Sequence, residues 1–123
     1  MSLVEPHMEG SFKNTHSLEE RQGESARIRE KYPDYVPVIC ERSRTCTVGS
    51  LTKFKFLARQ DHTVGQFIFG LRAGMQMEPE AALFLYVDGY VPPTNVQMAD
   101  IYAKHRDEDG FLYVNYSSEA TFG

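Results

Sequence analysis

Between Leu51 and Met75 the hydrophobic period of this chain changes from two to about 3.6, and that change limits what it can fold into. Leu51-Thr-Lys-Phe-Lys-Phe-Leu-Ala58 alternates as a strand does, with Lys53, Lys55 and Leu57 on one side and Phe54, Phe56 and Ala58 on the other. Thr63-Val-Gly-Gln66 then has capping-box spacing. Behind it, Val64, Phe67, Ile68, Leu71 and Met75 recur at i, i+3, i+4, i+7 and i+11, the stripe of an amphipathic helix. A strand feeding such a helix predicts a sheet with a helix packed on it. Gly65, Gly70 and Gly74 each weaken that helix by about 1 kcal/mol relative to alanine, so they mark close packing or a shallow spot on its surface.

The flanking segments extend the pattern. Ser17 and Glu20 form a second capping-box pair, and the following charged stretch runs as a helix with a thin apolar stripe until Pro33 stops it. Val36-Pro-Val-Ile-Cys-Glu-Arg42 reads as a strand, with Pro37 placing it at a sheet edge or at the strand's own start. Leu83–Val87, Asp88-Gly89 and Tyr90-Val91 read as strand, hairpin turn and strand. A short helix over Met98–His105 and a last strand over Phe111–Tyr116 follow. The resulting order, helical pieces and then β-β-α-β-β-α-β, is α+β in class.

Composition narrows the function. At 123 residues the chain suits a single domain, and no stretch approaches the roughly 18 apolar residues of a membrane span. The first residues lack the basic and apolar regions of a secretory signal, which points to the cytoplasm. A net charge of -4 argues against nucleic acid as a partner. Cys40 and Cys46 are too few for a disulfide framework or a zinc site, and without secretion the reduced state is expected. His7, His16, His62 and His105 lack metal-ligand spacing, and Asp107-Glu-Asp109 is too short for a calcium loop. No nucleophile and base pair stands out, so neither an enzyme nor a cofactor is expected, and nothing demands more than a monomer.

Five blocks, in order, make the reading specific: Ile28-Arg-Glu-Lys-Tyr-Pro-Asp-Tyr-Val-Pro-Val-Ile39, Asp61-His-Thr-Val-Gly-Gln-Phe67, Ala82-Leu-Phe-Leu-Tyr-Val87, Val91-Pro-Pro-Thr94 and Asp109-Gly-Phe-Leu-Tyr-Val114. Together they closely resemble the autophagy ubiquitin-like modifier family, which includes microtubule-associated light chain 3 and the GABA-A-receptor-associated protein. The resemblance spans roughly residues 12–123. It implies a ubiquitin-like β-grasp with an N-terminal helical extension. The chain then divides into residues 1–11 as a mobile tail or leader, 12–33 as the helical extension, 34–116 as the ubiquitin-like domain and 117–123 as a flexible conjugation tail.

The resemblance also implies two sites. The first is Gly123, matching the family's conjugated glycine. There a cysteine protease trims and deconjugates, an E1-like enzyme activates, and an E2-like enzyme passes the carboxyl group to phosphatidylethanolamine, attaching the protein to autophagosomal membranes. Glycine suits such transfer because no side chain obstructs a narrow channel. The second is a groove for receptor peptides of aromatic-x-x-aliphatic type. By resemblance, Glu24, Ile28, Pro37, Lys53, Lys55, Leu57 and Phe111 surround the aromatic anchor. Phe56, Ala58, Arg59, His62, Phe67, Gly70 and Leu71 surround the aliphatic one. The bland alternative is that Ile28, Phe67 and Leu71 only fill the core and the lysines only solubilise an edge strand.

Some positions depart from the family. Tyr35 stands where a basic residue is common, and Arg59, His62 and Gly70 stand where apolar residues are usual; Gly70 leaves the second pocket shallower or wider. An unconjugated adaptor binding peptides in intracellular trafficking would use the same groove, and only the fate of Gly123 separates the two readings. Deleting Gly123 is expected to abolish the lipid-sized mass increase seen after incubation with the conjugation enzymes, ATP and phosphatidylethanolamine vesicles. Conjugation that survives the deletion would contradict the assignment.

Overall fold

The computed structural model describes residues 7–46, 51, 53–75 and 77–118. Gly123 lies outside them. The elements are α1 (Ser11–Thr15), α2 (Leu18–Lys31), β1 (Tyr35–Arg42), β2 (Lys55–Arg59), α3 (Val64–Met75), β3 (Phe84–Tyr86), α4 (Met98–His105) and β4 (Leu112–Ser117). The sheet order is β2-β1-β4-β3. β1 lies antiparallel to β2 and parallel to β4, and β3 lies antiparallel to β4.

Side-chain alternation gives this sheet two covered faces. Val36, Val38 and Cys40 of β1, Ala58 of β2 and Leu112, Val114 and Tyr116 of β4 join Val64, Leu71 and Met75 of α3 and Met98 and Ile101 of α4 in the larger core. On the other face Ile39, Phe111 and Phe12 form a smaller core, against which Ile28, Phe54 and Tyr113 pack. The N-terminal helices cover this second face. Burial also pushes the Cys40 thiol well above its usual range, as expected for a small hydrophobe inside a sheet.

Both capping boxes form. Ser17 Oγ accepts from the Glu20 N–H at 3.1 Å, and Glu20 Oε1 accepts from the Ser17 N–H at 3.2 Å. At α3 the Gln66 N–H donates to Thr63 Oγ1 at 3.2 Å, and the Thr63 N–H donates to Gln66 Oε1 at 2.8 Å. The α+β class and β-grasp order stand, with one predicted strand absent.

Several boundaries differ from those predicted, each for a local reason. β1 is a central strand, not an edge. Pro37 is tolerated because it sits near the strand's start, opposite Leu57, before the β4 ladder begins at Val38. β2 is shorter than Leu51–Ala58, and Phe54 breaks the alternation. Its ring stacks on His7 at 3.8 Å and tilts toward Phe12, on the face opposite Phe56. Tyr90-Val91 forms no strand; a single bridge joins Val87 to Tyr90 across a turn whose central residues, Asp88 and Gly89, both have positive φ. Ser117, expected in the flexible tail, is buried inside β4.

Residues 7–11 are likewise held in place. Met8 bridges to Arg42, and the buried Glu41 carboxylate accepts from the Gly10 and Phe12 N–H groups, both at 3.1 Å, while 2.8 Å separates it from His7 Nε2. The carboxylate thereby caps the first turn of α1, where orphan donors need an acceptor.

A second buried carboxylate fixes α2. Asp109 is fully buried, and its Oδ2 accepts from Arg21 Nη1 at 2.6 Å and from the Tyr113 hydroxyl at 2.5 Å. Its Oδ1 accepts from the Phe111 N–H at 2.8 Å, and its carbonyl accepts from the Ser25 hydroxyl. Gly110 follows with φ +91°, and a β-carbon there would stand 2.5 Å from Ser25 Oγ, so glycine is required twice over. Arg21→Ala is expected to lower unfolding stability by about 3–5 kcal/mol in urea titration, because it strands a buried carboxylate. A loss below about 1 kcal/mol would show that the pair does not hold α2 in place.

Candidate functional site

β2 ends the described sheet, and its backbone polarity can be assigned. The Cys40 N–H donates to the Phe54 carbonyl at 2.7 Å, and the Gln60 N–H donates to the Asp34 carbonyl at 3.0 Å. Residues of even number therefore direct their polar groups toward β1. Lys55 and Leu57 direct theirs outward, to the open side. This is an edge able to accept another strand.

A hollow flanks that edge on each face of the sheet. The first, about 240 Å³, lies toward α2 and is lined by Ile28, Val38, Lys53, Lys55, Phe56, Leu57 and Phe111. The second, about 320 Å³, lies toward α3 and is lined by Phe56, Leu57, Ala58, Arg59, His62, Gln66, Phe67, Gly70 and Leu71. Leu57 lines both and stays 40% exposed, so it forms the ridge between them. Phe56 is the shared wall, and its ring meets Phe67 edge-on with centroids 6.1 Å apart.

Ile28, Lys53, Lys55, Leu57 and Phe111 thus come together at the first hollow. Glu24 and Pro37 are not in its lining. Glu24 instead accepts from Lys55 Nζ at 2.6 Å, and Pro37 is the β1 partner of Leu57. Phe56, Ala58, Arg59, His62, Phe67, Gly70 and Leu71 all meet at the second hollow. Val38 and Gln66 complete the linings although neither stands out in sequence. Val38 reads there only as a strand residue and Gln66 only as a cap; strand parity and helix phase were the available signals.

The charges around the edge are held, not loose. Lys55 Nζ also lies 5.2 Å from the Phe12 ring centre and 5.6 Å from that of Phe54, while Lys53 Nζ lies 5.1 Å above Phe56. Arg59 grips Asp61 with two hydrogen bonds, at 3.1 and 3.3 Å. The hydrogen bond from Arg59 holds the exposed Asp61 carboxyl below its usual range, and the same bond raises Arg59. Among the described residues no group of histidine, cysteine, aspartate or glutamate side chains is arranged to hold a metal ion.

An edge strand with one hollow on each face is a geometry that can accept an added strand and its alternating side chains. A family profile described as "Autophagy protein Atg8 ubiquitin like" matches residues 20–123. The chain belongs to the Atg8 family. It is 51% identical over 113 residues to autophagy-related protein 8d of Arabidopsis thaliana, an alignment covering 92% of this chain and 94% of that one. The crystal structure of Trypanosoma brucei ATG8 superposes with a TM-score of 0.86 at 50% identity, covering 94% of this chain and 99% of the other. Plasmodium falciparum Atg8, solved in complex with a P. falciparum Atg3 peptide, superposes with a TM-score of 0.82 at 36% identity, covering 91% and 98%. The Atg8 family consists of ubiquitin-like autophagy proteins and not of enzymes. Among the described residues no helix is long and apolar enough to cross a membrane.

Proposed function

We propose that this Atg8-family chain is conjugated through Gly123 to phosphatidylethanolamine and recruits cargo receptors to autophagosomal membranes through the β2 edge. Trimming and deconjugation by a cysteine protease, and transfer by E1-like and E2-like enzymes, follow from the family reading. The protein would be cytoplasmic until the lipid attaches it.

The observation that carries the groove is the pair of hollows on opposite faces of a free edge. A peptide added to β2 places side chains alternately on the two faces, so residues three apart face opposite ways, about 10 Å apart along the strand. An anchor-x-x-anchor spacing therefore fills one hollow with each anchor. The peptide's outward groups would meet the Lys55 and Leu57 backbone. The segment 51–59 carries Lys53, Lys55 and Arg59 and no acidic residue, on a chain whose net charge is -4, so acidic residues beside the motif are favoured. The Atg3 peptide bound by the P. falciparum protein is a precedent for a peptide ligand on this fold.

Leu57→Ala is expected to weaken a synthetic acidic aromatic-x-x-aliphatic peptide about tenfold by calorimetry, since it removes the ridge both anchors touch. Lys55→Ala is expected to weaken it less, and more at low salt than at high. Because Leu57 is half-exposed, thermal unfolding should barely move. Unchanged affinity in both variants would remove the β2 edge as the peptide site.

A further inference from the structure

The second hollow holds more space than the first, about 320 against 240 Å³, and its enlargement has an identifiable cause. Gly70 lines it on α3, and a β-carbon built there meets nothing within 4 Å. That glycine has a negative φ and lies inside a helix, so neither conformation nor crowding demands it. Gly65, by contrast, is crowded, since its β-carbon would approach the Thr94 carbonyl to 3.2 Å. The absence of a side chain at residue 70 costs helix stability, and within the described contacts its effect is open space in the hollow.

The walls of that space are aromatic and cationic. Phe56 and Phe67 present rings already packed edge-to-face, the arrangement a third ring extends. At the mouth stands Arg59, whose guanidinium donates two hydrogen bonds to Asp61. A planar guanidinium stacks on aromatic faces and has no comparable interaction with leucine or valine. His62 and Gln66 add polar atoms to the same rim.

We infer that the second hollow takes an aromatic side chain, so that the preferred partner of this protein carries an aromatic-x-x-aromatic motif on an acidic strand-forming peptide. The inference rests on the groove reading above and specifies its ligand. An aliphatic anchor would leave part of the hollow unfilled, forfeiting contacts on Phe67 and Arg59. The selectivity arises from Gly70: a leucine at that position would occupy the space meant for the guest ring.

The test uses two peptides, identical except for phenylalanine or leucine at the fourth motif position, titrated by calorimetry into the full chain and into Gly70→Leu and Gly70→Ala variants. The phenylalanine peptide is expected to bind the native protein about three- to tenfold tighter than the leucine peptide. Gly70→Leu should reverse that order, and Gly70→Ala should narrow the gap while the helix remains folded by circular dichroism. Equal affinities, or a leucine preference unchanged by Gly70→Leu, would overturn the aromatic assignment while leaving the groove standing. Binding of neither peptide, or binding indifferent to replacing the first aromatic anchor by alanine, would overturn the groove and this inference with it.

Discussion

The structure depends on the carboxylate of Asp109. It is buried without water access, and its position is set by donors from two directions: Arg21 of α2 on one side, and Tyr113 and the Phe111 amide of the β4 segment on the other. Burial and the nearby Asp109 charge both push the Tyr113 phenol far above its usual range, so it remains a donor at any physiological pH. A buried ion pair is weak evidence for stability in itself, since desolvation offsets its attraction. Its value here is positional. With Arg21 fixed, Glu24 and Ile28 fall one and two turns further along α2, where Glu24 restrains Lys55 and Ile28 lines the first hollow.

An uncovered edge strand is ordinarily an aggregation hazard. Among the described residues no strand pairs with the outer side of β2, while α2 covers the sheet around it on one face and α3 on the other. The lysines that would protect the edge from self-pairing are the same ones suited to an acidic peptide. Lys53 and Lys55 lie over Phe56 and over Phe12 and Phe54, respectively, so the charges are presented from apolar platforms. The same lysines thus guard the edge and carry its positive charge, and Gly70 gives up some helix stability while leaving open space in one hollow.

Much of this was legible in the chain because its signals are local. Ser17 with Glu20, and Thr63 with Gln66, are three residues apart, and each box formed. The stripe Val64-Phe67-Ile68-Leu71-Met75 gave both the helix and its buried face. What escaped depends on distant partners. Residues 7–11 resemble a tail because the carboxylate that holds them, Glu41, lies some thirty residues away. Arg21 looks like one more surface charge until Asp109 comes to meet it. Phe54 follows the alternation in sequence but turns to the other face, because His7 and Phe12 offer its ring a stack there. Val91 follows β propensity, yet the single Val87–Tyr90 bridge ends the hairpin. The residue sets expected around the two hollows came from family resemblance, whereas the reason they form two separate hollows on opposite faces came from strand parity.

The central claim, that β2 receives a peptide as an added strand, makes a statement about individual amide groups. Residue-resolved hydrogen exchange by NMR, with and without a saturating acidic peptide of the anchor-x-x-anchor type, tests it directly. The Phe56 and Ala58 amides, which face β1, should already be slow and change little. The Lys55 and Leu57 amides, which face outward, should exchange fast in the free protein and slow on binding by at least about tenfold. Protection gained at Phe56 and Ala58 alone, or at residues remote from β2, would contradict strand addition at this edge.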